Sequence, residues 1–268
     1  MRIQRREFMA AALAWTTASA AGRRWSFGVV PQVVPAELAV KWLPLLELAA
    51  ARSGQALQFA TANDIPAFEA RLADGEFDFA YMNPFHYAVY GERPGYAAMA
   101  HEKARRLRGI VVASAASPVS RLADLAQREI AFPAPGSFAA TLVVQAEFER
   151  QHIAIRSRYV GSHESVYLNV AQGLFVAGGG IPATLEAMEP PVRERLRILW
   201  SSPAYTPHAF AAHPRVPGAV VAAVQAALIG LADDAAGRQA LQGAGLVALE
   251  AARRADWDDV RALRLPAR

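Results

Sequence analysis

The chain has 268 residues, 53% apolar and 19% charged, which excludes a disordered chain and gives one large domain or two lobes enough apolar side chains for a core. Its formal charge of +4 comes partly from Arg2, Arg5 and Arg6, and the densest later cluster, His101 to Arg108, reads as a short solvated face; nucleic acid is not among the expected partners. No cysteine is present, which rules out disulfides, thiolate metal sites and thiol nucleophiles.

Residues 1–20 read as an export signal. Three arginines precede an uncharged run of 15 residues from Phe8 to Gly22, and Ala18-Ser19-Ala20 suits a signal peptidase. The run is shorter than the roughly 20 apolar residues a membrane-spanning helix needs. Arg5-Arg6-Glu7-Phe8-Met9 resembles a twin-arginine signal, so the expectation is an exported, periplasmic protein beginning near Ala21.

Short apolar strands then alternate with helical spacing. Trp25 to Val30 reads as a buried strand, and Leu38, Trp42, Leu45, Leu46 and Ala49 recur with the period of a helix. Leu57 to Ala60 is a second strand, Asn63-Asp64 supplies cap chemistry for a helix ending at Gly75, and Phe77 to Met82 is a third strand. This βαβαβ order predicts a parallel sheet wrapped by helices. A second series follows: strands at Arg108 to Ser114 and Glu129 to Pro133, a helix from Phe138 to His152, a strand at Ser157 to Val160, a helix from Glu164, and a strand at Leu196 to Ser202. A long helical pattern covers Val216 to Asp234. Two alternating series predict two α/β lobes.

In open parallel sheets, ligands bind beyond the carboxyl ends of the strands, where helix N-termini point. Here those ends run into Thr61-Ala62-Asn63-Asp64, Asn83-Pro84-Phe85-His86-Tyr87, Ala134-Pro135-Gly136-Ser137 and Gly161-Ser162-His163-Glu164-Ser165. Four helix N-termini around one cleft would form an anion site built largely from main chain. Ser162-His163-Glu164 invites a triad reading, but adjacent side chains point different ways and no Gly-x-Ser-x-Gly elbow exists in the sequence. Either Ser162 or His163 is expected to cap the helix, leaving the other for a ligand. The glycines of Val176 to Leu185 match neither a P-loop nor Gly-x-Gly-x-x-Gly and read as a strand-to-helix turn. Tyr87, on the first turn of its helix, either faces the cleft or belongs to the core. Of six histidines, His86, His163 and His208 fall in cleft loops, which keeps a histidine metal site or enzyme on the same fold as an alternative; the main reading has no cofactor, no metal and no catalytic residue.

Over its length after the signal, the chain resembles the phosphate/phosphite/phosphonate-binding periplasmic proteins of ABC transporters. The resemblance is carried by FGVVPQ, Asp64-x-Pro66-x-Phe68, ADGEFDFAYMNPFHY, RGIVV, YVGSHESVYLNVAQG and SSPAYTPH. It implies a two-lobed type II periplasmic-binding fold, each lobe a mostly parallel sheet flanked by helices, with crossing segments near Val111 to Ala115 and Pro207 to Ala212. Residues 21–111 and 213–268 would form lobe 1, and 112–212 lobe 2. The family's Gly-Pro-x-x-Tyr turn falls on Asn83 to Tyr87, with Asn83 in place of glycine. Its Gly-Ser-His turn puts an oxyanion-binding histidine on His163. Its Ser-Thr-Ser-Gly loop falls on Ser137-Phe138-Ala139-Ala140, keeping one hydroxyl of three, and an acidic position that meets a ligand amine falls near Val176.

The resulting expectation is a solute-binding protein that captures a small oxyanion by hinge closure, with Asp64, Asn83, Tyr87, Ser137, Phe138, Ser162, His163 and Tyr205 around the ligand. The expected partner is an ABC permease or, alternatively, a membrane histidine kinase, and the expected state is a monomer.

Overall fold

The computed structural model describes residues 23–265, so the expected export signal lies outside the described residues. The first sheet opens with β1 (Arg24–Val29), α1 (Pro35–Ser53), β2 (Ala56–Ala60), α2 (Ile65–Ala73) and β3 (Phe79–Met82). β1 lies between β2 and β3 and pairs with both in parallel. Pro35 opens α1, and Gly54, at φ 68°, ends it in the left-handed region that glycine adopts without steric cost. The buried face of α1 is Leu38, Trp42, Leu45, Leu46 and Ala49, the set its spacing predicts.

α3 (Pro84–Tyr90) follows β3, and β4 (Ala97–Glu102) returns to the same sheet. The chain then enters a second sheet with β5 (Ile110–Ser114), β6 (Glu129–Phe132), a π-helical turn over Phe138–Val143, α4 (Val144–Arg150), β7 (Arg156–Tyr159), α5 (His163–Ala171) and β8 (Ala177–Gly180). Two short helices, α6 (Pro182–Glu186) and α7 (Pro190–Arg193), lead to β9 (Leu196–Ser201). β10 (Ala209–Ala212), α8 (Gly218–Ile229), α9 (Ala235–Gly243), β11 (Leu249–Ala251) and α10 (Asp258–Arg261) complete the first lobe.

The strand orders are β11-β4-β10-β3-β1-β2 and β7-β6-β8-β5-β9. Each sheet has a parallel half, β2-β1-β3 and β7-β6-β8, and an antiparallel half created where the chain crosses between lobes. β5 lies wholly in the second sheet and β10 wholly in the first, so the crossings are residues 103–109 and 202–208. The expected crossing near Val111–Ala115 instead falls largely on β5, which is buried and hydrogen-bonded on both sides, and the one near Pro207–Ala212 overlaps the second crossing only at Pro207 and His208 before running into β10. The two crossings touch through an antiparallel bridge between Leu107 and Tyr205, each backbone N–H donating to the other's carbonyl at 2.8 Å.

The glycines of residues 178–180 lie inside β8 rather than in a turn. Side chains crowd that strand: a Cβ on Gly180 would stand 2.2 Å from the Tyr167 hydroxyl, and one on Gly178 2.3 Å from Val166. α5 can therefore lie flat on the sheet. That fixes where its N-terminus, and His163, emerge.

Candidate functional site

The starts of α2, of α3 and of the π-helical turn after Gly136 meet where the lobes touch, but most of the expected side chains are already in use. Asp64 is the N-cap of α2, its carboxylate accepting from Ala67 N at 2.8 Å. Ser162 is the N-cap of α5: its hydroxyl accepts from Ser165 N at 3.0 Å and lies 2.9 Å from the Ser165 hydroxyl. Among the described residues no hydrogen bond joins Ser162 to His163, so the local geometry forms no serine–histidine pair. Capping stabilises each helix by about 1 kcal/mol and holds these oxygens against backbone N–H groups.

Asn83 caps α3 and also reaches across the cleft. Its carbonyl accepts from His86 N at 2.8 Å, and its amide donates to Gly136 O at 3.1 Å. Gly136 is pressed against the opposite lobe so closely that a Cβ there would stand 2.6 Å from the Ile65 side chain and 3.1 Å from a Glu69 carboxylate oxygen. The cleft is closed at this point.

Tyr87 lies in the core of the first lobe, away from the cleft. Its hydroxyl accepts from Ala98 N at 3.2 Å, and its ring centroid is 4.5 Å from that of Trp257. The physical reason is in β4: its pairing with β10 skips a residue between Ala98 and Ala100, and the Tyr87 hydroxyl meets the N–H beside that irregularity.

Phe138 also departs from a ligand-facing role. It opens the π-helical turn of the second lobe, yet it is buried in the first lobe's core cluster, edge-on to Tyr205 with 5.8 Å between centroids and 85° between planes. Tyr205 is itself buried, and burial raises its hydroxyl pKa. The Phe138–Tyr205 contact thus ties the second lobe to a crossing segment. π-helical turns are rare and are frequent at functional sites.

Two expected residues keep unused polar atoms. The Ser137 hydroxyl, partly exposed beside Gly136, has no hydrogen-bond partner among the described residues. His163, the first residue of α5, has a buried Nδ1 with no partner there. Burial holds its pKa down at about 4, so the ring is neutral near pH 7.

His86 joins these polar groups through Asn83. It is fully buried on α3, its Nε2 lying 3.0 Å from the Glu69 carboxylate and 3.1 Å from the Asn83 amide, with Nδ1 unpartnered among the described residues. Burial lowers its pKa, and Glu69 opposes the shift. The Asn83–His86 spacing on one helical turn was the available signal; Glu69, on another helix, left none. Among the described residues no three His, Cys, Asp or Glu side chains are grouped to hold a metal ion.

This arrangement of two lobes, crossing segments and helix N-termini has known relatives. Residues 27–257 match the family described as ABC transporter, phosphonate, periplasmic substrate-binding protein. The chain belongs to that family. As a family member it is a solute-binding protein of the ABC-transporter type, and such proteins work in the periplasm with a permease.

Solved structures similar to this phosphonate-family protein share its fold. XAC2383 from Xanthomonas citri bound to chloride is 18% identical with a TM-score of 0.80, covering 90% of this chain and 95% of that one. The same protein bound to ATP is 17% identical with a TM-score of 0.77, covering 90% and 95%. PhnD1 from Prochlorococcus marinus in complex with methylphosphonate is 12% identical with a TM-score of 0.78, covering 90% and 96%. A binding protein component of an ABC phosphonate transporter from Pseudomonas aeruginosa is 15% identical with a TM-score of 0.76, covering 90% and 85%.

Proposed function

We propose that this protein captures a small oxyanion of the phosphonate, phosphite or phosphate kind at the loops around Ser137 and His163. It then presents the closed form to an ABC permease. The observation that carries the reading is the unpartnered, buried Nδ1 of His163 at the start of α5. A buried polar atom without a partner is costly, and an anion at a helix N-terminus would engage both the ring and the backbone donors. The ligands bound in the similar structures of XAC2383 and PhnD1 are chloride, ATP and methylphosphonate, all anions.

The lobes would act as a monomeric clamp hinging at residues 103–109 and 202–208, with binding and no covalent chemistry. Calorimetry of wild type and His163→Gln against methylphosphonate, phosphite, phosphate and sulfate tests this. Binding of one of the phosphorus oxyanions, weakened about tenfold or more in His163→Gln, is expected, since a hydrogen bond to a charged group contributes roughly 1.5–3 kcal/mol. An unchanged affinity in the variant, or no binding across the panel, overturns it.

A further inference from the structure

A cavity of about 400 Å³ lies beside the crossing segments, at the carboxyl ends of β1, β3 and β8, and neither Ser137 nor His163 lines it. The volume falls within the roughly 300–1,000 Å³ of organic ligand sites and is generous for a tetrahedral ion. Its walls combine rings, aliphatic side chains and cations. Tyr81 stacks on His208, with centroids 4.9 Å apart and planes 13° apart, and Trp42 lies 4.6 Å behind Tyr81. Tyr81 covers one face of His208, and the His208 ring is partly exposed and lines the cavity. Leu107 of one crossing and Ile181 of the second lobe add apolar surface.

The polar groups are unevenly committed. The buried carboxylate of Glu102 accepts from Arg105 Nη1 through both oxygens, at 3.2 and 3.0 Å, and from Val247 N at 3.2 Å. Arg105 uses Nη1 alone, for Glu102 and for Gly245 O, so Nε and Nη2 have no partner among the described residues. Lys41 gives one bond to Glu37 at 2.7 Å and keeps two further donors. The carboxylate on the wall is satisfied, and the cationic donors are not. His208 is kept neutral, its pKa held down at about 3 chiefly by burial and further by the nearby Arg105 cation, so it presents an uncharged ring whose Nε2 lies 3.1 Å from the Gln32 amide.

We propose that this cavity is a second binding site, for a flat organic anion. The ring of the ligand would lie on the open face of His208, between Leu107 and Ile181. Its carboxylate or equivalent would engage the free guanidinium edge of Arg105 and Lys41. The site draws on both lobes and a crossing segment, so its occupant would add to closure independently of the loops at His163.

The test is calorimetry on the full chain with 2-naphthoate, its neutral amide and acetate, with methylphosphonate measured in parallel. The variants are Arg105→Lys, which leaves a cation beside Glu102 but removes the guanidinium fork, and the exposed Lys41→Gln, with melting temperatures checking folding. Naphthoate is expected to bind at least about tenfold more tightly than either the amide or acetate, and to weaken on the order of ten- to a hundredfold in Arg105→Lys and several-fold in Lys41→Gln. Methylphosphonate affinity is expected to stay the same in both variants and not to compete with naphthoate. Naphthoate binding no better than acetate, or insensitive to both substitutions, overturns the site. Loss of methylphosphonate binding in His163→Gln with naphthoate unaffected would support both sites. Normal methylphosphonate binding in His163→Gln would sink the oxyanion reading alone.

Discussion

The amide of Asn83, on the first lobe, donates to the backbone carbonyl of Gly136, on the second, across 3.1 Å, and the same side chain caps α3. One residue therefore sets a helix N-terminus and holds the cleft shut. In Asn83→Gly the helix loses part of its cap and the lobes lose a buried hydrogen bond. The more open form is then expected to gain population, read as a larger radius of gyration by small-angle scattering without ligand. An unchanged radius would show that packing between the lobes, at Gly136 against Ile65 and at Phe138 against Tyr205, holds them together without this hydrogen bond.

Phe138→Thr would restore a hydroxyl to the loop after Ser137 while removing a buried ring. Loss of the ring is expected to cost about 3–5 kcal/mol, seen as a lower melting temperature. Should the new hydroxyl reach the anion, methylphosphonate affinity rises several-fold, in line with roughly 0.5–1.5 kcal/mol for one hydrogen bond. A melting temperature equal to wild type would contradict the packing described for Phe138.

Tyr87→Phe separates a core role from a ligand role. The hydroxyl bonds Ala98 N, so its removal is expected to lower stability by about 1 kcal/mol in denaturant titration and to leave every anion affinity unchanged. A clear loss of affinity would return Tyr87 to the cleft.

Anion binding at His163 is expected to strengthen as pH falls. In the free protein its pKa lies near 4, and a bound anion favours the charged ring, which raises the pKa in the complex. The additional affinity is present below the bound-state pKa and disappears as pH rises through it. Sulfate is the suitable ligand, since its own charge is constant between about pH 5 and 8; calorimetry in buffers of different ionisation enthalpy should also show proton uptake. Flat affinity and no uptake would remove His163 from contact with the anion.

Acid should destabilise the unliganded protein earlier than carboxylate titration would explain. Burial holds His86, His163 and His208 below the ordinary histidine range, the latter two at about 4 and about 3. Each stays neutral in the fold but takes up a proton near pH 6.5 when unfolded, so its contribution is complete above that pH and is lost as pH falls toward the folded pKa. Between about pH 7 and 5 the loss is on the order of 1–2 kcal/mol for each of His163 and His208. Urea midpoints over this range, in wild type and His208→Leu, measure it; equal slopes against pH would refute the assignment for His208.

The local order of the chain determined the two α/β series, the buried face of α1, the cap at Asp64, and a cap at either Ser162 or His163, because periodicity and capping depend on residues within one turn of each other. It did not reveal β4, β10 or β11, short strands rich in alanine or with little strand propensity, which are held by pairing with residues distant in sequence. The same distinction governs the site. His163 and Ser137 could be named from their positions after strands, but whether a side chain met a ligand or the core depended on neighbours far along the chain: Trp257 and Ala98 for Tyr87, Tyr205 for Phe138, Gly136 for Asn83. Tertiary packing alone decided which polar atoms remained unpaired, since every donor and acceptor near the cleft competes for the same few partners once the lobes close.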